Sequence, residues 1–314
     1  MRIIIFGYTG LLGEGILKYL KKNTSHDIIC VGRNNKPTFN KNSKIKYFKW
    51  DFATFTNSNL LFLKKADIII NCVGKINNSK KELQYINVTF LKNLLRHISQ
   101  YKLKIRLIHL SSVSVYGKVQ DYLGQSKTIY ENSNIKAKSL YSKSKLYGDL
   151  LIQNSIKKQT NINFTYTILR ISNAFDKTNN SNLYKFVLLL LKFRICIQSS
   201  AKVMYNFVNT NDVAQAVMLV MSRLHVSKNK IYIVSDDCRQ NLIYEKIYKK
   251  NFVKFVFPIG LIKFLIFFIP MPKKLFQFFL NISSKVSYSN KKIIRELKFK
   301  PRYSLLKCIK SFNG

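Results

Sequence analysis

The sequence has few acidic residues. Its 314 residues include only 14 Asp and Glu against 54 Lys and Arg, which gives a formal net charge of +40. An excess of this size favours anionic substrates and anionic surfaces. The basic residues are scattered along the chain without a run of five, whereas a nucleic-acid interface concentrates them in a patch. We therefore expect no nucleic-acid partner.

Cysteine clusters and long apolar runs are also lacking. The five cysteines form neither a C-x-x-C pair nor a metal-ligand spacing, which predicts free thiols in a reducing compartment and no metal site. The N-terminus has no apolar signal region, so we expect a cytoplasmic protein. The Phe-rich segment 252–280 is interrupted by Lys and Pro before it reaches the ~18 residues of a spanning helix.

Two interpretations of segment 252–280 stay open. One is a buried helical lobe. The other is a helix pair lying on the inner face of a membrane, with Lys273 and Lys274 turned toward anionic head groups.

The apolar pattern predicts alternating strands and helices. Strands are expected at 2–6, 27–31, 45–48, 67–73, 105–110, 164–169 and 231–234, and helices at 11–20, 60–65, 83–100, 142–156 and 212–224. Such alternation predicts an α/β fold with a doubly wound parallel sheet of the Rossmann type. We expect the dinucleotide-binding domain at 1–172, rejoined by 205–238, and a smaller, mainly helical substrate lobe at 173–204 and 239–314.

The first predicted strand runs directly into a glycine-rich turn, Gly7-Tyr8-Thr9-Gly10-Leu11-Leu12-Gly13. Glycines at this point permit a tight turn and a close approach of the backbone to a pyrophosphate at the helix N-terminus. The spacing is G-x-x-G-x-x-G, and its position between a strand and a helix is the context that a dinucleotide loop requires.

The end of the second predicted strand carries Arg33 where NAD enzymes usually place an acidic residue. A guanidinium there suits a 2′-phosphate, which favours NADP slightly over NAD; a solvated loop arginine is the alternative. After the third strand, Asp51 and Phe52 are placed to meet the adenine, although Asp51 fits a turn equally well.

A serine and a Tyr-Lys pair follow further along the chain. Ser112 ends the fifth predicted strand, at the edge of the sheet where ligands bind. Tyr141 and Lys145 are four residues apart and share one face of a helix. An ammonium near a phenol lowers the phenol pKa from ~10 toward neutral pH and makes it a usable acid or base.

Taken together, these motifs resemble the extended short-chain dehydrogenase/reductase family, in its nucleotide-sugar epimerase, dehydratase and reductase branch. The resemblance covers residues 2 to about 309 and rests on further matches: Asp67 to Gly74 as the fourth strand and its tail, Asn87, Glu131, Arg170 to Phe175, Phe207 to Ala216, and Leu297 to Pro301 followed by Ser304 and Leu305.

The resemblance implies roles for individual residues. Tyr141 would be the general acid/base, Lys145 would bind the nicotinamide ribose, and Ser112 would orient the substrate oxygen. Asn173 would contact the sugar nucleotide, while Val73, Gly74 and Asn87 would line the cofactor. One departure concerns the substrate diphosphate: many relatives hold it with an Arg just before Phe207, whereas here Asn206 precedes Phe207 and Lys202 is the nearest cation.

The expected function is therefore NAD(P)-dependent epimerisation of an activated hexose at C4, in surface polysaccharide biosynthesis. The hexose would be linked to a nucleotide or polyprenyl diphosphate, and a homodimer is compatible with the family. An NADPH-dependent 4-keto nucleotide-sugar reductase is the close alternative. A non-catalytic dinucleotide-binding protein is a third interpretation, because a fold alone does not establish activity.

Overall fold

The structure is a computed structural model. It describes residues 1–33, 44–50, 63–76, 79–117, 125–157, 164–176, 189–200, 202–249, 251–270, 272, 279–280 and 283–310. The predicted helix at 60–65 lies mostly outside these residues, as do Asp51, Phe52, Lys273 and Lys274.

The described residues contain strands of two to seven residues. They are β1 (Arg2–Phe6), β2 (Asp27–Gly32), β3 (Ile45–Lys49), β4 (Ile68–Asn71), β5 (Arg106–Ser112), β6 (Lys127–Ile129), β7 (Thr165–Ile171), β8 (Asn173–Phe175), β9 (Ile195–Gln198), β10 (Met204–Tyr205), β11 (Phe207–Asn209), β12 (Lys230–Val234), β13 (Cys238–Arg239), β14 (Val253–Val256) and β15 (Val286–Tyr288).

The helices lie mainly between these strands. They are α1 (Leu11–Asn23), α2 (Lys80–Gln84), α3 (Phe90–Gln100), α4 (Leu140–Lys157), α5 (Thr210–Ser222), α6 (Leu224–Ser227), α7 (Gln240–Tyr248), α8 (Ile259–Phe268), α9 (Lys291–Leu297) and α10 (Leu305–Lys310). A π-helical turn, Tyr85–Thr89, joins α2 to α3, and a 3₁₀ turn, Val113–Tyr116, follows β5.

Seven strands form one parallel sheet in the order β12-β7-β5-β4-β1-β2-β3. Side chains of β1 explain why its sequence is uninterrupted Ile and Phe: Ile3 and Ile5 pack into one hydrophobic cluster, whereas Ile4 and Phe6 pack into another. A strand covered on both faces needs apolar side chains at every position. The predicted α/β fold with a doubly wound parallel sheet is confirmed.

The chain after β7 also forms short strand pairs. β8 pairs with β11, β9 with β14, β10 with β13 and β6 with β15. These pairs involve only two to four residues per strand, which is too short to leave a period-two pattern in the sequence. The prediction of a helical lobe therefore missed the strands, and the division of the chain into two domains stays a prediction.

The helix predicted at roughly 83–100 ends at Gln100 as expected, but it begins three residues earlier and contains a π-helical turn. Ser79 accepts a hydrogen bond from the backbone N–H of Glu82, and the Glu82 carboxylate accepts one from Ser79 N, so the helix begins at Lys80. This capping box was readable in the sequence. The π-helical turn then widens the helix before α3.

No helix within the described ranges is both long and apolar enough to cross a membrane.

Candidate active site

The glycine-rich turn lies between β1 and α1, and different structural constraints require glycine at its different positions. Gly7 has φ +77°, a conformation that favours glycine. A Cβ on Gly13 would lie 2.2 Å from the Gly7 carbonyl oxygen, which no side chain tolerates. A Cβ on Gly10 would lie 3.5 Å from that same oxygen, an ordinary contact. Gly10 is therefore open on the side away from the protein.

Gly10 is also the N-cap of α1 and provides no side-chain cap. The first N–H groups of this helix, beginning at Leu11 and Leu12, lack intrahelical partners by geometry and carry the positive end of the helix dipole. Thr9 lies beside them on the exposed side of the turn. An open, uncapped helix start next to a crowded glycine turn fits the pyrophosphate of a dinucleotide.

The segment after β4 passes in front of the same edge of the sheet. Asn71 fixes its beginning, because the Asn71 side chain accepts a hydrogen bond from Val73 N at 3.0 Å. A Cβ on Gly74 would lie 3.4 Å from Lys145 Nζ. Val73 and Gly74 therefore lie beside the candidate catalytic helix α4, and a larger residue at Gly74 would push against Lys145.

Asn87 lies in the π turn and joins this segment to α4. Its amide oxygen accepts from Lys75 N at 2.9 Å, and its amide nitrogen donates to Lys75 O at 3.3 Å and to Ser144 Oγ at 2.9 Å. These bonds engage both polar atoms of the side chain. Asn87 therefore shapes the segment beside the candidate cofactor site, and its predicted contact with the cofactor stays a prediction.

Ser112, Tyr141 and Lys145 meet where β5 ends against the start of α4. The Ser112 hydroxyl lies close enough to the Tyr141 phenol to influence its pKa, and it accepts a bond from Ser114 N at 3.1 Å. Lys145 Nζ donates to the Leu110 carbonyl at 2.7 Å, and Lys145 is buried. The structure thus brings together the three residues that the sequence proposed for catalysis.

The electrostatics of the pair differ from the sequence expectation. Burial raises the pKa of the Tyr141 phenol, and the polar interaction with the nearby Ser112 hydroxyl opposes that rise. Burial lowers the pKa of the Lys145 ammonium to about 8, against the attraction of Asp149. Lys145 directs its ammonium to the Leu110 carbonyl, so the expected depression of the Tyr141 pKa is not present in this structure.

A buried polar network lies behind the pair. Asp149, fully buried, follows Lys145 by one helical turn and forms an ion pair with Arg170 at 3.0 Å. Arg170 also donates to the Tyr116 hydroxyl at 2.6 Å. Burial raises the pKa of Asp149, and the Arg170 guanidinium opposes this shift. Sequence reasoning missed Asp149, although its i+4 spacing from Lys145 places it on the Tyr141–Lys145 face of the helix.

His109 is the histidine nearest to this site along the chain and is not a general acid here. It lies on β5, its Nδ1 is 3.1 Å from the amide nitrogen of Asn71, and its Nε2 is 3.9 Å from Asp149. Burial lowers the pKa of His109 well below its ordinary value, and the Lys145 ammonium lowers it further. His109 is therefore neutral at physiological pH and supports Asn71.

The substrate side contains two asparagines. Asn173, the exposed first residue of β8, donates its side-chain amide to the Asn206 carbonyl at 2.9 Å. The Asn206 amide donates to Asp237 Oδ2 at 2.9 Å and to the Val286 carbonyl at 2.8 Å. Burial raises the pKa of Asp237 to about 6. The Asn206 side-chain amide thus connects the start of β11 to β15.

Arg33, predicted to bind the cofactor, and Lys202, predicted to bind the substrate, are both exposed. Arg33 lies at the end of β2, and Lys202 lies on a turn where its backbone N–H donates to Ser200 Oγ at 3.2 Å. The comparable residues Asp51 and Phe52 are outside the described residues. Arg33 follows directly on Gly32, whose backbone carbonyl accepts from Trp50 N at 3.0 Å.

Known proteins resemble this chain over most of its length. The NAD dependent epimerase/dehydratase family matches residues 3–235. The ADP-L-glycero-D-manno-heptose-6-epimerase of Brachyspira hyodysenteriae is 29% identical over 191 residues, 57% of this chain and 56% of that protein. The chain therefore spans little more than half the length of the curated relative that it matches.

Solved structures share the whole fold. UDP-glucuronic acid 4-epimerase from Bacillus cereus, in complex with NAD, has a TM-score of 0.70 at 17% identity, covering 99% of this chain and 94% of that one. dTDP-glucose 4,6-dehydratase from Bacillus anthracis, in complex with NAD, has a TM-score of 0.69 at 15% identity, again covering 99% and 94%. At these identities the likeness concerns the fold.

The family match extends over the glycine turn, the serine strand end and the Tyr-Lys helix, in the order in which the structure assembles them. The resemblance read from the sequence is thereby confirmed. This chain belongs to the NAD-dependent epimerase/dehydratase family.

Proposed function

We propose that the chain is an NAD(P)-dependent epimerase that inverts C4 of an activated hexose in the biosynthesis of a surface polysaccharide. The observation that carries the proposal is the contact of Ser112 with Tyr141 beside the buried Lys145, at the sheet edge that also holds the open glycine turn. A reacting hydroxyl placed at Ser112 would meet an acid/base and a dinucleotide site together.

The residues divide the work as follows. Ser112 would hold the sugar oxygen by a hydrogen bond, and Tyr141 in its phenolate form would take the proton from that oxygen and later return it. Lys145 supplies a positive charge beside them. A bound nicotinamide would supply the hydride acceptor and donor that inversion at C4 requires. No net redox change results.

The carrier of the sugar is proposed to be a nucleotide diphosphate or a polyprenyl diphosphate. Support for a diphosphate comes from the net charge of +40 and from the relatives crystallised with UDP-glucuronic acid or UDP-glucose. Asn206 does not hold the diphosphate by its side chain, because its amide is bonded to Asp237 and Val286. Lys202 is the cation that we assign to this task.

A second candidate is an NADPH-dependent reductase of a 4-keto nucleotide sugar. Arg33 favours it, because a guanidinium at the end of β2 suits the 2′-phosphate of an exchangeable NADPH. A dehydratase is less compatible, because the residue after Ser112 is the buried apolar Val113, whereas that branch needs an acidic pair at this point.

One experiment separates the candidates. Purified protein is incubated with UDP-N-acetylglucosamine or UDP-glucose without added reductant, and the sugar is followed by NMR. Appearance of the C4 epimer at catalytic turnover supports the epimerase. Failure with these sugars, together with stoichiometric NADPH oxidation by a 4-keto sugar, would replace it by the reductase. Sedimentation of the same sample tests the expected homodimer.

A further inference from the structure

Two elements that are consecutive in the chain, β14 and α8, expose large apolar side chains. Six of them define what we name the apolar ridge: Val253, Phe255, Leu261, Phe264, Phe267 and Phe268. Phe267 and Phe268 are 72% and 73% exposed, the highest values among the large apolar side chains that the described residues expose. Isolated exposed apolar residues are ordinary on protein surfaces, whereas a contiguous set marks an interaction site.

The ridge is held in place by backbone pairing. β14 pairs in parallel with β9, with Val253 opposite Ile195 and Phe255 opposite Ile197. Hydrogen bonds from Val253 N to Arg194 O at 2.9 Å and from Phe257 N to Gln198 O at 3.0 Å extend the pairing beyond both ends. Phe193, which precedes Arg194 in the chain, is also exposed.

Helix α8 presents its apolar side chains outward. Ile262 is fully buried and anchors the helix. Leu261, Phe264 and Phe268 lie at positions i, i+3 and i+7, on the face roughly opposite Ile262. The rings of Phe264 and Phe268 are 5.2 Å apart. The ten residues of α8 extend only about 15 Å, half the ~30 Å of a bilayer core.

Cations border the ridge, and acids are absent from its sequence. Lys254 alternates with Val253 and Phe255 on β14, and Lys263 lies beside the outward face of α8; both are exposed. Arg194 is exposed, its carbonyl accepts from Val253 N, and its guanidinium lies 5.6 Å from the centre of the Tyr248 ring. No Asp or Glu occurs between residues 245 and 296, or between residues 176 and 212.

We propose that the apolar ridge docks on an anionic lipid bilayer, with the Phe rings inserted among the acyl chains and the bordering Lys and Arg against the head groups. An apolar face combined with cations and without acids is the chemistry that such a surface binds. A second copy of the chain fits less well, because it would place cations against cations. This inference does not depend on the proposed epimerase activity.

The test is flotation of the full chain with phosphatidylcholine vesicles that contain or lack phosphatidylglycerol. Wild type is expected to float with the anionic vesicles at low salt. The variant Phe267→Ser/Phe268→Ser should bind them about tenfold or more weakly, since two exposed rings no longer leave water. The variant Lys254→Glu/Lys263→Glu should weaken binding as well, and more so at low salt.

A matched control removes exposed apolar side chains elsewhere. Tyr147→Ser/Leu150→Ser changes two residues of α4 that are 49% and 43% exposed, and it should bind vesicles like wild type. Equal binding of wild type and the Phe267→Ser/Phe268→Ser variant would show adsorption by net charge alone and would overturn the proposal. So would an absence of binding to anionic vesicles, or loss of an oligomer in that Phe variant by sedimentation.

Discussion

At the scale of single residues, Lys145 and Asp149 show how the site keeps charge in its interior. Burial would strip Lys145 of its proton, and the Asp149 carboxylate one turn away raises the Lys145 pKa again, to about 8. Asp149 in turn is stabilised by Arg170 at 3.0 Å. A buried charge survives only with such partners, so the network keeps Lys145 cationic at neutral pH.

The burial of Lys145 predicts a trade between stability and activity. Lys145→Met should remove activity yet stabilise the protein toward urea at pH 7, by on the order of 2–3 kcal/mol. Below pH 8 Lys145 is protonated in both the folded and the unfolded chain, and the buried ammonium destabilises the folded protein by its full amount. Between about pH 8 and the ordinary Lys pKa of 10.5, only the unfolded chain binds it, so wild-type stability rises with pH.

The stability difference between wild type and Lys145→Met should therefore narrow as pH rises from 7 to 10. Urea melts of both proteins across this range measure it, and the subtraction removes all other titrating groups. A difference that stays constant with pH would contradict the assignment of the cost to a buried ammonium.

Tyr141 is expected to carry the proton transfer. Tyr141→Phe should leave dinucleotide affinity nearly unchanged and lower kcat by ~10²-fold or more, the scale of lost general acid/base catalysis. Tyr147→Phe on the same helix, 49% exposed, is the matched control and should keep wild-type turnover. A Tyr141→Phe variant that retains most of its turnover would remove Tyr141 from the mechanism.

Arg33 is expected to set the cofactor preference. Wild type should bind NADPH more tightly than NADH, and Arg33→Ala should reduce that preference about tenfold or more, because the guanidinium fork no longer meets the 2′-phosphate. Fluorescence titration gives both Kd values. Arg106→Ala removes an equal charge at the amino end of β5 and should leave the ratio unchanged. Equal wild-type affinities would refute the prediction.

At the scale of elements, two glycines of the glycine-rich turn allow its effect on protein stability to be separated from its effect on dinucleotide binding. Gly13→Ala places a Cβ 2.2 Å from the Gly7 oxygen, so the turn must move and both stability and dinucleotide affinity should fall. Gly10→Ala makes only a 3.5 Å contact, so its Tm should stay near that of wild type while a Cβ obstructs the pyrophosphate.

Thermal melts and NAD(P)H titrations of the two glycine variants provide the comparison. The proposed role of the turn requires that Gly13→Ala lower both the Tm and the dinucleotide affinity. It requires that Gly10→Ala lower the affinity only. Wild-type affinity in Gly10→Ala would place the dinucleotide elsewhere.

The elements also show what a sequence can and cannot predict. β1, β2 and β4 were predictable because burial on both faces leaves unbroken apolar runs. The π-helical turn that carries Asn87 was not predictable. Its five residues have the sequence pattern of an α-helix, and the turn differs from one only in its wider backbone geometry. The pairing of β9 with β14 joins segments far apart in the chain, and no local pattern reports such a contact.

The candidate site was predictable in its motif residues and not in their supports. Ser112, Tyr141 and Lys145 have spacings that the chemistry requires, and the structure brings them together. Asp149 and Asn206 act through partners distant in sequence, Arg170 and Asp237. Those partners become visible only once the sheet has brought β7 and β12 beside the site.

At the scale of the whole molecule, the charge of +40 should act in opposite directions on folding and on membrane binding. Like charges repel one another in the compact state, which lowers the free energy of unfolding. Added salt screens that repulsion, since the Debye length shortens from ~10 Å at 0.1 M to ~3 Å at 1 M. The same screening weakens the attraction of the basic residues beside the apolar ridge to anionic head groups.

Raising NaCl from low to high concentration should therefore raise the Tm of the free protein, by on the order of 2–4 °C for each kcal/mol of repulsion relieved. Over the same series, flotation with anionic vesicles should decline, while the contribution of Phe267 and Phe268 persists because transfer of apolar rings is not screened. Thermal melts and flotation measured in identical buffers give both trends, and KCl in place of NaCl controls for a specific ion. A Tm that falls with salt would mean that the basic residues stabilise the fold locally. Vesicle binding that is insensitive to salt would mean that the ridge binds through its apolar side chains alone.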